Sequence, residues 1–258
     1  MSAFDGLATV GIYSNYKLVL MNVNNLLGHV TGAFTASIGN LNALEGRKRV
    51  YEIFRILDFA AFLLYGYLSG GLVTLINFFI RMIFGEEYLF SMTVVVIIMA
   101  EFFISGLRQM GLQFREALGL FWHDRYKALA EAIINLVVSL ILVRRFGVAG
   151  IIGATGLARL CTIFWYEPKV LFHRTFGRSA AAYFKAQGGL LLLNGAVMLL
   201  SLLLCARMGH TLMWIILKGI TCAAVTALLY TLALGRTAEY RWMLEKGRSF
   251  LRKWRKKA

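Results

Sequence analysis

Long apolar stretches, separated by short polar and basic segments, run through the whole chain. The stretches from Phe59 to Ile80 and from Ala186 to Ala206 contain no charged residue. A helix of about 20 apolar residues crosses the hydrocarbon core of a bilayer, so each stretch is long enough to span it. The pattern predicts seven spans, at residues 8–40, 52–82, 88–109, 127–143, 147–167, 188–206 and 210–235.

This pattern predicts an all-α, polytopic membrane helical bundle. Residues 1–235 would form a transmembrane helical lobe, and residues 236–258 a basic cytoplasmic tail. In the fifth span the spacing of four glycines predicts close packing against a neighbouring helix, because small residues let helix backbones approach each other. They are Gly147, Gly150, Gly153 and Gly156.

Composition supports a membrane protein over a soluble or secreted one. The chain has 258 residues, of which 59% are hydrophobic and only 16% are charged, and a soluble core cannot hide that much apolar surface. Its three cysteines lie in apolar segments without metal-ligand spacing. No P-loop, nucleophile elbow or HExxH motif occurs. We therefore expect no metal, no cofactor and no enzymatic activity.

The net charge of +15 indicates membrane topology, not nucleic-acid binding, because the basic residues lie between the apolar stretches and in the tail. Twenty Lys and Arg residues fall on one side of the predicted spans and four on the other. The positive-inside rule then places the C-terminus in the cytoplasm and the N-terminus outside. An odd number of spans without an export signal leads us to expect that a further span precedes Met1.

The first predicted span has one polar face. At 100° per residue, Tyr13, Lys17 and Asn24 fall on a common stripe, and further polar residues flank it. The predicted substrate-binding residues of this span are Tyr13, Asn15, Lys17, Asn22, Asn24, Asn25 and His29. Polar groups lack partners in hydrocarbon, so this face is expected to line a wet cavity or to be satisfied between packed helices.

Charged residues inside predicted spans often mark transport pathways because they are costly to bury there. Glu101 follows a continuous apolar run, and it is a candidate for proton or ion coupling or a partner of Arg108. Arg55 and Asp58 are three residues apart on one helix, so we expect them to neutralise each other.

Two basic, aromatic segments are expected at the cytoplasmic membrane surface. The first is FREALGLFWHDRYK, residues 114–127, which reads as an interfacial amphipathic helix. Its predicted interfacial residues are Arg115, Trp122, Asp124 and Arg125. The second is the tail, whose basic residues alternate with aromatic ones and predict a helix lying on anionic lipid.

Several runs of the chain resemble one family. VGIYSNYKLVLMNVNNLL and TASIGNL, at residues 10–27 and 35–41, look like the start of the second half of O-antigen-type polysaccharide flippases in the MATE-like superfamily. FREALGLFWHDRYK, AEAIINLVVSLIL and FWYEPKVL follow in the order and spacing typical of the same proteins. The resemblance extends over residues 10–172.

This resemblance implies the C-terminal lobe of a flippase in the bacterial cytoplasmic membrane. Its substrate would be an oligosaccharide linked to undecaprenyl pyrophosphate, moved to the outer leaflet for surface-polysaccharide synthesis. Lys17 looks like the basic residue that engages the pyrophosphate in related proteins, and the asparagines of the first span would line the sugar path. Family members are about twice as long and rock two lobes around a central site, which implies a further N-terminal lobe or polysaccharide-assembly proteins as partners.

Two other functions remain open. A MATE-type exporter of drugs or cations would need carboxylates in its cavity. In the predicted spans of this chain, Lys17 favours an anionic substrate more strongly than the lone Glu101 favours a cationic one. The third possibility is a non-transporting membrane remnant or scaffold whose spans only pack together.

Overall fold

The computed structural model describes residues 3–32, 35–120, 126–209 and 211–255, and these residues form helices and short connections without any strand. The all-α prediction is therefore confirmed for this part of the chain. In chain order the helices are α1 (Ala3–Gly32), α2 (Thr35–Leu44), α3 (Arg47–Phe84), α4 (Met92–Leu107), α5 (Gln109–Ala117), α6 (Lys127–Cys161), α7 (Ile163–Leu171), α8 (Ala181–Cys205), α9 (Leu212–Leu234) and α10 (Ala238–Arg255). A 3₁₀ turn (Glu86–Tyr88) precedes α4, and a π-helical turn (Phe172–Phe176) follows α7.

Within the described residues, five helical segments are long and apolar enough to cross a membrane. They are Arg47–Phe84, Met92–Ala117, Lys127–Phe176, Ala181–Cys205 and Met213–Leu234. Five such helices are compatible with a multi-pass membrane protein, but the predicted count of seven is not confirmed. The predicted first span at 8–40 is not among the five, because polar residues lower the hydropathy of the described helix α1.

The segment Lys127–Phe176 folds back on itself at Gly147. The backbone of Gly147 leaves the helical region, with φ 56° and ψ −134°. Arg159 Nε lies 3.4 Å from Glu131 Oε1, although 28 residues separate the two, which would place them about 42 Å apart on a straight helix. The predicted spans at 127–143 and 147–167 thus correspond to the two legs of one helical hairpin.

The two legs of the hairpin pack closely at Gly150, where the chain has no side chain. A Cβ atom on Gly150 would lie 2.5 Å from the backbone oxygen of Leu142 in the other leg. The close packing predicted from the glycine spacing is confirmed at this position.

Helix α3 forms the centre of the bundle and contacts α4, α8 and α9. Its buried side chains include Phe62, Tyr65 and Ile76. A polar contact also joins these helices: Asn194 of α8 donates to Ser69 Oγ of α3 over 3.0 Å, and the hydroxyl of Tyr230 in α9 donates to Asn194 Oδ1 over 2.9 Å. Such interhelical hydrogen bonds help apolar helices associate where water is excluded.

The first leg of the hairpin carries an exposed apolar stripe. Leu129, Ile133, Leu136 and Leu140 recur at three- and four-residue spacing, and more than half of each side chain's surface is exposed. An apolar stripe of this length on the outside of a bundle is typical of a surface that faces lipid.

The basic tail forms helix α10, as the sequence predicts. Its first turn is attached to the bundle, because Glu239 forms an ion pair with Arg55 of α3 and the hydroxyl of Tyr240 lies 2.7 Å from Thr231 Oγ1 of α9. Its contact with anionic lipid stays a prediction.

Candidate functional site

A cavity of about 690 Å³ lies between α1, α3 and the α4–α5 segment. Its lining residues are Asn24, Asn25, Gly28, His29, Tyr65, Ser105, Arg108, Gln109 and Leu112. Most of these side chains carry a hydrogen-bonding group, Arg108 carries a positive charge, and none of the described lining residues is Asp or Glu. We call this space the polar cavity.

Tyr16 fixes α1 against α3 and so positions one wall of the polar cavity. Its hydroxyl donates to Asn77 Oδ1 over 2.6 Å and accepts from the backbone N–H of Phe90 over 2.9 Å. Asn77 Nδ2 in turn donates to the backbone oxygen of Phe90 over 3.1 Å. The three residues form a closed set of hydrogen bonds, and Tyr16 is fully buried.

The structure places three of the seven predicted substrate-binding residues at the polar cavity: Asn24, Asn25 and His29. The other four lie outside its described lining, and they are Tyr13, Asn15, Lys17 and Asn22. Lys17 is exposed, and it lies about 10 Å along the helix axis before Asn24. The second half of the polar face therefore lines a cavity, as one of our two interpretations of this helix predicts.

Tyr65 enters the polar cavity because a glycine stands opposite it. A Cβ atom on Gly106 of α4 would overlap the Tyr65 ring. The ring centroid of Tyr65 lies 5.3 Å from that of Phe102. Glycine at position 106 thus lets α3 and α4 approach closely while the tyrosine occupies the space between them.

Arg108 is held in place by a buried carboxylate. Its Nε and one terminal nitrogen donate to the two oxygens of Glu167 over 3.0 and 2.9 Å. Glu167, from α7, is only 3% exposed. This two-bond geometry fixes the plane of the guanidinium group, so the cation at the edge of the polar cavity has a defined orientation.

The same carboxylate also pairs with Arg115 and Lys127. Arg115 Nη1 donates to Glu167 Oε1 over 2.8 Å, and Arg115 is 6% exposed. We expected Arg115 at headgroup depth, available to phosphates, so its position is a correction. A buried guanidinium needs a buried counter-charge, and Glu167 becomes available only through the fold of the hairpin and α7.

A second ionic network lies beside the polar cavity. Arg159 forms ion pairs with Glu101 and Glu131 and donates to Ser105 Oγ. Ser105 also lines the polar cavity, so the network reaches its edge. The sequence left Glu101 as a coupling site or a partner of Arg108; its partner is Arg159, because Arg108 is bound to Glu167.

Three predicted interfacial residues, Trp122, Asp124 and Arg125, lie outside the described residues. Across the part of the chain that the structure describes, no group of three His, Cys, Asp or Glu side chains is arranged to hold a metal ion.

Sequence reasoning missed most of the wall opposite α1. Ser105 and Gln109 carry small or neutral polar groups at the end of an apolar span, where they resemble ordinary helix-end residues. The sequence suggested Arg108 as a cytoplasmic-side basic residue and as a partner for Glu101, not as a cavity residue. The one usable signal was the recurrence of Ser105, Arg108 and Gln109 at three- and four-residue spacing, which places them on one helix face.

Comparison of the chain with protein-family models, with curated proteins and with solved structures finds no match.

Proposed function

We propose that this chain is the C-terminal lobe of a transporter that moves a lipid-linked oligosaccharide across the bacterial cytoplasmic membrane. The observation that carries the proposal is the polar cavity itself, a volume of about 690 Å³ with hydrogen-bonding walls among helices apolar enough to span a membrane. The resemblance of residues 10–172 to polysaccharide flippases agrees with this function.

The cavity chemistry suits a hydrophilic, anionic headgroup. Sugar hydroxyls both donate and accept hydrogen bonds, as do the amides of Asn24, Asn25 and Gln109. Arg108 presents a fixed guanidinium, whose geometry matches phosphate oxygens. A headgroup crossing hydrocarbon would otherwise lose its hydrogen bonds to water, so polar walls of this kind lower the cost of its passage.

The charge of the polar cavity favours anionic substrates over cationic ones. The described lining has one permanent positive charge, at Arg108, and no carboxylate. An electropositive cleft attracts anions and repels cations. In this proposal Arg108 takes the pyrophosphate-binding role for which the sequence suggested Lys17, and Lys17 would contact the headgroup only outside the polar cavity.

The proposal is tested by replacing one of the three cations that share Glu167. Arg108→Gln removes the cation that lines the cavity, while Arg115 and Lys127 still pair with the carboxylate. We expect the purified chain in nanodiscs to bind undecaprenyl pyrophosphate at least tenfold more weakly, which corresponds to about 1.4 kcal/mol. Native mass spectrometry measures the bound fraction.

Lys127→Gln is the matched control, since it removes another cation from the same carboxylate without touching the described cavity lining. It should leave binding within twofold of the wild type, a difference of about 0.4 kcal/mol. Equal losses in the two variants would contradict a role for the cavity.

Deletion of the gene in its source organism should also stop surface-polysaccharide export, and a complementing Arg108→Gln copy should not restore it.

A further inference from the structure

A second cavity, of about 580 Å³, lies between α3 and α8 where α10 begins. It shares no described lining residue with the polar cavity. Asp58 of α3 and Gln187 of α8 are among its polar lining residues. We call it the acidic cavity, because its chemistry differs from that of the site proposed above.

Asp58 has hydrogen-bond donors but no cation beside it among the described residues. Gln187 Nε2 donates to Asp58 Oδ2 over 2.9 Å, and the hydroxyl of Tyr183 lies 3.5 Å from Oδ1. We expected Arg55 to neutralise Asp58; instead, Arg55 pairs with Glu239 of α10. Arg55, the only arginine of α3 within one turn of Asp58, therefore pairs with the tail helix and not with Asp58.

Gln187 adds a second acceptor without a partner. The residue is 2% exposed, and its Oε1 has no hydrogen-bond donor in the described part of the chain. The amide is fixed in this orientation, because only its nitrogen can donate to the carboxylate of Asp58. Buried acceptors normally have hydrogen-bond partners. Here the Gln187 oxygen has none among the described residues, and the donors to the Asp58 carboxylate are uncharged.

Five aromatic residues form one part of the wall of the acidic cavity. Tyr51, Phe54, Phe59 and Phe172 line it together with Tyr183. Aromatic faces attract organic cations through their quadrupole. Among the lining residues of ionisable type, two are acidic, Asp58 and Glu239, and one is basic, Arg55, so the formal charge of the lining is −1.

These observations select a class of ligand. We propose that the acidic cavity binds an amphipathic organic cation, whose N–H groups donate to Asp58 while its apolar part packs on the aromatic residues of the lining. A bare metal ion fits less well, since hard cations take about six oxygen ligands at close range and the volume of about 580 Å³ far exceeds one ion.

The acidic cavity has an opening lined by small residues of α8. Ala182, Ala186 and Gly189 lie on one face of this helix and are exposed. Small side chains at the mouth leave room for a bulky ligand. Because α8 is one of the apolar helices, an amphipathic cation dissolved in the membrane would reach Asp58 without passing through the polar cavity.

Ethidium is a suitable probe, since it is a planar organic cation with exocyclic amino groups and its fluorescence rises on transfer from water. We expect the purified chain in detergent to bind it saturably. Asp58→Asn keeps the shape of the side chain and one acceptor oxygen but removes the charge, and it should weaken binding at least tenfold. Glu52→Gln is the matched control: it removes an exposed carboxylate of the same helix that lies outside the described cavity lining, and it should leave the affinity unchanged.

Ethidium affinity that is equal in wild type and Asp58→Asn, or no saturable binding to the wild type, overturns the proposal. A second measurement on the wild-type chain applies if Asp58→Asn does not fold. Dicyclohexylcarbodiimide labels carboxyl groups in apolar surroundings, and ethidium should slow its reaction at Asp58, as mapped by mass spectrometry. Labelling that ethidium leaves unchanged, or that only sodium ions slow, rules out an organic-cation site.

Discussion

The Tyr16 hydroxyl is one polar attachment of α1 to the bundle. It takes part in two hydrogen bonds that link α1 to Asn77 of α3 and to Phe90 just before α4. Because α1 supplies Asn24, Asn25 and His29 to the polar cavity, these hydrogen bonds help to position one wall.

Tyr16→Phe should loosen that wall while it keeps the ring. The change leaves the Phe90 N–H without its acceptor and Asn77 Oδ1 without its donor, and an unsatisfied buried group costs about 1–3 kcal/mol. We expect a lower midpoint of thermal unfolding in detergent and faster amide hydrogen exchange in α1. Tyr13→Phe, which removes a hydroxyl without a hydrogen bond to any described residue, should change neither; if both variants behave alike, Tyr16 does not anchor the helix.

For single residues, the sequence predicted which polar side chains share a helix face, but it did not predict which residues of other helices they contact. It identified Asn24, Asn25 and His29 as one polar group on α1, because helical periodicity depends only on spacing. It did not distinguish Tyr16 from the other tyrosines, and it paired Asp58 with Arg55. Both depend on what another helix brings within reach, Asn77 in the first case and Glu239 in the second.

At the scale of elements, the hairpin within α6 positions the ionic networks. The turn at Gly147 has positive φ, which glycine adopts without the steric cost that other residues meet. Folding back brings Arg159 to Glu131 and carries Glu167 to Lys127. The charged residues of two sequence-distant segments are thereby paired with each other.

Gly150→Ala should destabilise this hairpin. The added methyl group would sit 2.5 Å from the Leu142 backbone oxygen, and overpacking of a tight contact costs about 1–3 kcal/mol. We expect a lower unfolding midpoint together with increased proteolysis near Gly147. Gly153→Ala is the control, because its Cβ would meet Ile97 at an ordinary 3.8 Å; equal effects of the two changes would refute close packing as the cause.

At the scale of the whole molecule, the distribution of charge predicts the orientation. The loop with Glu86 and Glu87 separates α3 from α4, and the basic tail lies at the other end of α3, where Glu239 meets Arg55. About 44 Å of helix separates Arg55 from Phe84, the last residue of α3. This is long enough to place them on opposite faces of a bilayer.

Single-cysteine labelling tests that orientation. In a variant whose three natural cysteines are replaced by serine, Glu87→Cys should react with a membrane-impermeant maleimide in intact cells. Arg241→Cys in the tail should react only after the membrane is permeabilised, because basic segments stay on the cytoplasmic side. The reverse labelling pattern would invert the topology and place the opening of the acidic cavity nearer the outer leaflet.

The sequence by itself determined the helical class, the apolar segments and the polar face of α1. These follow from composition and periodicity, which are local properties of a chain. Only the tertiary structure decided which charges pair, that residues 127–143 and 147–167 form one hairpin, and which half of the polar face lines a cavity. Ion pairs and cavities depend on distances between helices, and residues far apart in sequence, such as Arg108 and Glu167, set those distances only when the helices pack.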